Sequence, residues 1–159
     1  MRTLSSVDVE FFDSAPHRFD FSEPVAAPVE RVFAAISADP STWSWFEGVA
    51  DGRYESAPPH GVGTKRAIRM DDDIYRETMI AWEAPHRWAY RVDETTMTVF
   101  DALAEDWCVA ADGDNAIVTW TFAIKPAAGA EAVVDVLPDL LGSVFRAAMQ
   151  NLSAHLAAD

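Results

Sequence analysis

The chain has 159 residues, 50% of them hydrophobic and 24% charged, with a formal net charge of −14. That length and composition describe one globular domain, and no apolar run is long enough to cross a bilayer. So acidic a balance repels phosphate backbones and anionic membrane surfaces, which argues against nucleic-acid binding and stable membrane insertion.

From the N-terminus, Met1 to Glu10 lacks the continuous apolar core of a secretory signal, and the single Cys108 has no partner for an internal disulfide. Both point to a cytoplasmic protein. His17 to Glu23 alternates, with Phe19 and Phe21 on one face and Arg18, Asp20 and Ser22 on the other, as in a half-buried strand. Pro24 and Pro28 are expected to end it. Pro28 then opens a helix whose apolar residues Val29, Val32, Phe33 and Ile36 recur at three and four positions. Asp39 and Pro40 stop that helix, and a second short one is predicted around Trp43, Trp45 and Phe46, closed by Gly48.

From Val49 the period changes to two. Strands are predicted over Val49 to Glu55, Thr64 to Met70, Ile74 to Trp82, His86 to Val92 and Met97 to Val109, the last long enough to need a bend or bulge. The turn at Asp112-Gly113-Asp114-Asn115 is a strong hairpin signal. It leads into Ala116 to Ile124, which sets Val118, Trp120, Phe122 and Ile124 on one face. After Lys125 and Pro126 a helical pattern runs through Leu137, Leu141, Phe145, Leu152 and Leu156, with Pro138 starting or bending it and Gly142 permitting a close approach to the sheet.

The order of one strand, two short helices, a six-stranded antiparallel run and a long helix resembles the START-like, or helix-grip (SRPBCC), superfamily in its polyketide cyclase/dehydrase and lipid-transport branch. Local echoes are Ala27-Pro28-Val29-Glu30-Arg31-Val32-Phe33, Gly61-Val62-Gly63-Thr64, Trp82-Glu83-Ala84-Pro85-His86-Arg87 and Val118-Thr119-Trp120. The resemblance covers roughly Phe19 to Leu156. It implies an α+β fold in which a curved seven-stranded antiparallel sheet wraps around the C-terminal helix, with a ligand cavity between them. Residues 1–16 are then an N-terminal extension of a single domain. No catalytic motif is common to that superfamily, so the resemblance implies a pocket rather than a reaction.

Other motifs favour structure. Gly61 to Lys65 lacks the spacing of a phosphate loop and reads as a hairpin turn, and Asp71, Asp72 and Asp73 read as a solvated turn. His17, His60, His86 and His155 share no metal-ligand spacing with one another or with Cys108, so no metal or cofactor is expected. Ser143 lacks the setting of a hydrolase nucleophile, and the sequon at Asn151 is only formal.

Four charged residues, Arg76, Glu77, Glu105 and Asp106, interrupt strands that otherwise supply apolar walls, and a one-residue shift of register decides which face inward. Outward-facing pairs are the commoner outcome. An inward carboxyl would have its pKa raised by burial and could protonate or orient a ligand carbonyl, so the catalytic candidates are Glu77, Asp106 and His17. The expected ligand contacts are Trp88, Tyr90, Trp107, Trp120, Phe122, Leu141, Phe145 and Met149. The leading expectation is a monomer or homodimer that binds a small hydrophobic or aromatic molecule, of lipid, polyketide or terpenoid type. The alternatives are a polyketide cyclase, aromatase or dehydratase using the same cavity with one acid/base residue, and an interaction module whose interior is filled.

Overall fold

In the computed structural model, which describes residues 1–158, the alternating stretch forms one continuous antiparallel sheet. Its strands are β1 (Arg2–Thr3), β2 (His17–Val25), β3 (Val49–Tyr54), β4 (Lys65–Met70), β5 (Asp73–Glu83), β6 (Arg87–Thr95), β7 (Phe100–Asp112) and β8 (Asn115–Pro126). The helices are α1 (Phe11–Ser14), α2 (Val29–Ile36) and α3 (Val133–Ala157). Seven strands lie in the order β2-β8-β7-β6-β5-β4-β3, so the first strand of the grip pairs with the last and the second lies at the opposite edge. The crossover between those edges carries α2. Its buried stripe of Val29, Val32, Phe33 and Ile36 turns toward the sheet, and α3 buries Leu137, Phe145, Ala148, Met149, Leu152 and Leu156.

This is the helix-grip architecture expected from the sequence, with an eighth strand added. β1 is two residues long and pairs with Glu94 and Thr95 of β6, beyond the point at Arg91 where β6 ceases to pair with β7. Leu4 donates to the Asp93 carbonyl and Ser5 to that of Asp101, so the N-terminal segment bridges the gap where those strands splay. Too short a pairing to show any periodicity, it was invisible in the residue pattern.

Two local expectations are corrected. Pro24 does not end β2 but pairs with Ile117 inside it, because β2 is an edge strand and a missing N–H need not interrupt a ladder. The segment around Trp43 is not a helix. A single 3-10 turn at Pro40–Thr42, capped by Asp39 accepting from the Ser41 amide at 3.0 Å, gives way to turns that bury Trp43, Trp45 and Phe46 against one another. Of the two places the sequence leaves open to Pro138, the structure takes the interior of α3.

The bend in β7 appears as a register shift between Phe100 and Ala102. Asp112 opposes Asn115 across a two-residue turn in which Gly113 takes a positive φ of 63°. Gly142 does allow a close approach: a Cβ there would lie 3.3 Å from the Phe21 ring.

Candidate functional site

Alternation sends every second residue of β4 to β8 into the space beneath α3, and those positions carry both rings and charges. Arg66 shares its face with Ile68 on β4, and Glu77 lies on the same side of β5, opposite Arg66 in the register. The pair is closed, with Arg66 Nε donating to Glu77 Oε2 at 2.5 Å and the two side chains 1% and 4% exposed. Three rings enclose the guanidinium: its carbon lies 5.0 Å from the centre of Trp43, 4.8 Å from Trp88 and 4.5 Å from Tyr90. Burial raises the Glu77 carboxyl above its ordinary pKa, and the adjacent guanidinium opposes that rise.

A second acidic group stands one strand further on. Glu105, half-buried on β7, accepts from the Tyr90 hydroxyl at 2.5 Å and from the Trp120 indole N–H at 2.9 Å, both through Oε2. Burial pushes its pKa up to about 7, and the charge of Glu77 adds to the rise; the Tyr90 and Trp120 hydrogen bonds work against it. A carboxyl in that state is close to half-protonated at neutral pH, with Oε1 free to give or take a proton. Tyr90 is itself raised well above its ordinary range, by burial first and by Glu105 second.

Among the described residues, four buried side-chain polar atoms have no hydrogen-bond partner: Trp43 Nε1, Trp88 Nε1, Trp107 Nε1 and Arg66 Nη1. The Trp88 N–H is near enough to the Tyr54 hydroxyl to influence it, but makes no well-formed bond; that hydroxyl donates to the Ser37 carbonyl at 2.8 Å.

The sequence-derived candidates separate by face. Glu77 is interior. His17 is half-buried at the start of β2, on the face of Phe19 and Phe21, two strands from Glu105 and two residues along from Phe19, which lies in line with it. Asp106 is a correction: being next to Glu105 in an extended strand it points to the outer side, where Arg87 grips it with Nε at 3.1 Å and Nη2 at 2.8 Å. Arg66 escaped the sequence reading, although it shares the parity of Ile68 and Met70; Arg76, considered instead, is an exposed partner of Glu94.

The proposed contacts Trp88, Tyr90, Trp107, Trp120, Phe122, Phe145 and Met149 all face inward and pack in the main core, with Leu141 half-buried at its margin. The hollow expected beneath α3 is filled by rings in this conformation. Trp107, Trp120 and Phe145 meet with centres 5.4 to 5.9 Å apart, and Trp88, Trp107, Phe145 and Met149 are each at most 1% exposed. Two clefts lie elsewhere. One of about 250 Å³ sits on the outer face between α1, Arg18, Arg87 and Asp106, and one of about 200 Å³ lies between Pro40, Trp43 and Val49 to Asp51.

A curved antiparallel sheet closed on a C-terminal helix, with a ring-lined inner face, defines a START-like protein of helix-grip fold. The model of the polyketide cyclase/dehydrase and lipid transport family matches residues 16–157, and the chain belongs to that family. Uncharacterized proteins of Mycobacterium tuberculosis and Mycobacterium bovis are 32% identical over 157 residues, covering 98% of this chain and 93% of theirs. A START superfamily protein from Mycobacterium smegmatis superposes with a TM-score of 0.73 at 9% identity, over 89% of this chain and 98% of its own. The major latex-like protein 151 of Panax ginseng gives 0.73 at 14% identity, over 87% and 96%. At those identities the two structures share the fold alone with this chain. Together, family and fold identify a ligand-binding or polyketide cyclase-type protein. No helix among the described residues is long and apolar enough to cross a membrane.

Proposed function

We propose that the protein binds a small hydrophobic or aromatic molecule, of polyketide, terpenoid or lipid type, between the inner face of the sheet and α3, with Tyr90 and Glu105 orienting it. One observation carries this reading. A wall of rings encloses an ion pair, a carboxyl held near neutrality and several unpaired donors. A core shaped by stability alone would replace these with apolar side chains, because burying charges and unpaired polar groups costs more than packing hydrocarbon.

Admission of a ligand requires the rings beneath α3 to part. The N-terminal half of α3 is suited to yield: Pro138 lacks the N–H of a regular helix position, Leu141 is only half-buried, and Gly142 rests on the Phe21 ring without a side chain of its own. A ligand losing roughly 300 Å² of apolar surface gains about 7 kcal/mol at about 25 cal/mol/Å². Association entropy and the opening itself reduce that to an affinity in the micromolar range.

Glu105 favours a second reading, in which binding is followed by chemistry. With Oε2 held by Tyr90 and Trp120, Oε1 could pass a proton to a ligand carbonyl or remove one beside it, as cyclisation or dehydration of a polyketide chain requires.

The deciding experiment is native mass spectrometry of freshly purified protein, with organic extraction of whatever accompanies it. A reproducible bound apolar molecule is the expected result. Its absence, together with no saturable binding of aromatic probes, would overturn the reading. Trp120→Ala should weaken binding more than Trp45→Ala, because Trp120 donates to Glu105 whereas Trp45 packs on Trp43 and Phe46 and bonds neither carboxyl; equal losses would displace the site.

A further inference from the structure

The four unpaired donors are not scattered through the core. Trp43, Trp88 and Trp107 form a triangle with ring centres 6.0 to 6.4 Å apart, and Arg66 lies against two of its three members. Each donor side chain is at most 4% exposed. Of the acceptors nearby, Glu77 Oε2 is taken by Arg66 and Glu105 Oε2 by Tyr90 and Trp120, and no carboxylate oxygen reaches the four open donors. A buried cluster made only of open donors lacks one thing, an acceptor atom.

We propose that this cluster is an oxygen subsite that receives the carbonyl group of a neutral aromatic ketone, enone or ester, which fixes the substrate class of the interior site. The inference rests on the binding function proposed above. Charge selects a neutral carbonyl over a carboxylate. Arg66 is already balanced by Glu77, and Glu105 supplies a second acidic group, so an anionic ligand would be a third among rings that exclude water. An ammonium would bring further donors and satisfy none of the four N–H groups, and a plain hydrocarbon would leave each as it stands. Trp43 also lines the 200 Å³ cleft beside Pro40 and Val49. Its ring therefore separates the donor cluster from the outside, and places the oxygen end of the ligand beneath that cleft.

Three naphthalenes of nearly equal size test this: 2-acetylnaphthalene, 2-ethylnaphthalene and 2-naphthoate, measured by equilibrium dialysis against the full chain and its Trp43→Phe and Trp107→Phe variants. Each variant keeps a ring and deletes one N–H. The ketone is expected to bind the wild type about tenfold more tightly than the ethyl compound, one good hydrogen bond to a charged or desolvated donor being worth about that ratio. The naphthoate should bind more weakly than the ketone. In both variants the ratio of ketone to 2-ethylnaphthalene affinity should shrink severalfold, whatever loss of ring area does to both compounds alike, and in the wild type the ketone should shift indole N–H resonances.

Equal affinity for ketone and ethyl compound, or an advantage that survives both substitutions, overturns the oxygen subsite and assigns the donors to water, leaving the binding function intact. Failure of all three probes to bind saturably refutes the binding function, and the subsite with it.

Discussion

The two faces of the sheet carry ionic groups of the same kinds and treat them in opposite ways. On the outer face the packing is shallow: Ala81, Ala89, Ala104 and Ala123 form a small-residue floor beneath Phe12 of α1. The charges there complete one another. Arg87 holds both oxygens of Asp106, and Asp20 accepts from Arg18 and from Thr121. On the inner face large rings replace the alanines, and every unpaired buried side-chain donor among the described residues lies there. Glu105 and Asp106, adjacent in β7, fall on the two sides. A face whose polar groups are satisfied within the chain serves the fold, whereas one that keeps donors open at high desolvation cost is built to meet another molecule.

The largest expected effect attacks the inner ion pair. Glu77→Leu leaves Arg66 charged, ring-enclosed and without its partner, a defect that costs about 3–5 kcal/mol. Urea unfolding at pH 7 should show that loss, and the double variant Arg66→Met with Glu77→Leu should recover most of it, because apolar groups of similar volume replace the pair. If the double variant is as unstable as the single one, the pair contributes net stability, and its presence no longer argues for a function beyond folding.

Glu105→Gln sharpens the contrast through pH. In the folded chain Glu105 titrates at about 7, whereas an unfolded glutamate titrates near 4.3. Below about pH 4 both states hold the proton and the group contributes nothing. Between those values the unfolded chain releases a proton that the folded chain keeps, so stability falls as pH rises through the window and levels off above about 7. The full difference is about 4 kcal/mol. Gln keeps an oxygen for Tyr90 and Trp120 and cannot titrate. Its stability should match the wild type at pH 4 and exceed it by roughly that amount at pH 8; parallel pH profiles would return Glu105 to an ordinary solvated carboxyl.

Most of the architecture was legible in the residues because period and punctuation agree in this chain. The alternation of Trp88 with Tyr90 and of Val118, Trp120, Phe122 and Ile124 fixed both strands and inward faces, and the Asp112 to Asn115 turn fixed a hairpin. The site was half legible. Periodicity of two makes Glu105 inner or Asp106 inner with equal ease, and only the register with Trp107 decides it: Trp107, inward with Trp88 and Trp120, puts Glu105 on its own face and Asp106 on the other. Arg66 was hidden for another reason. In Lys65-Arg66-Ala67-Ile68-Arg69-Met70 three cations suggest a solvated strand, and nothing local reveals that Glu77, eleven residues on, will neutralise the middle one. The filling of the interior depends on rings from β6, β7, β8 and α3 converging at once, which no single segment encodes.

The smallest expected effect belongs to the outer pair. Arg87→Ala removes three hydrogen bonds to Asp106, two from Nε and one from Nη2, and a guanidinium that lies 6.0 Å from the centre of the Phe12 ring. Yet the Arg87 and Asp106 side chains are 29% and 12% exposed, and the 250 Å³ cleft beside them admits water to the abandoned carboxylate. The loss should be about 1 kcal/mol, well below that of Glu77→Leu, because solvent can take over what the guanidinium did. Affinity for 2-acetylnaphthalene should not change. A cost equal to that of Glu77→Leu would show that water reaches neither pair, erasing the difference between the faces. Altered ketone binding would show that the outer ion pair sets the position of β7, and so of Glu105, from behind.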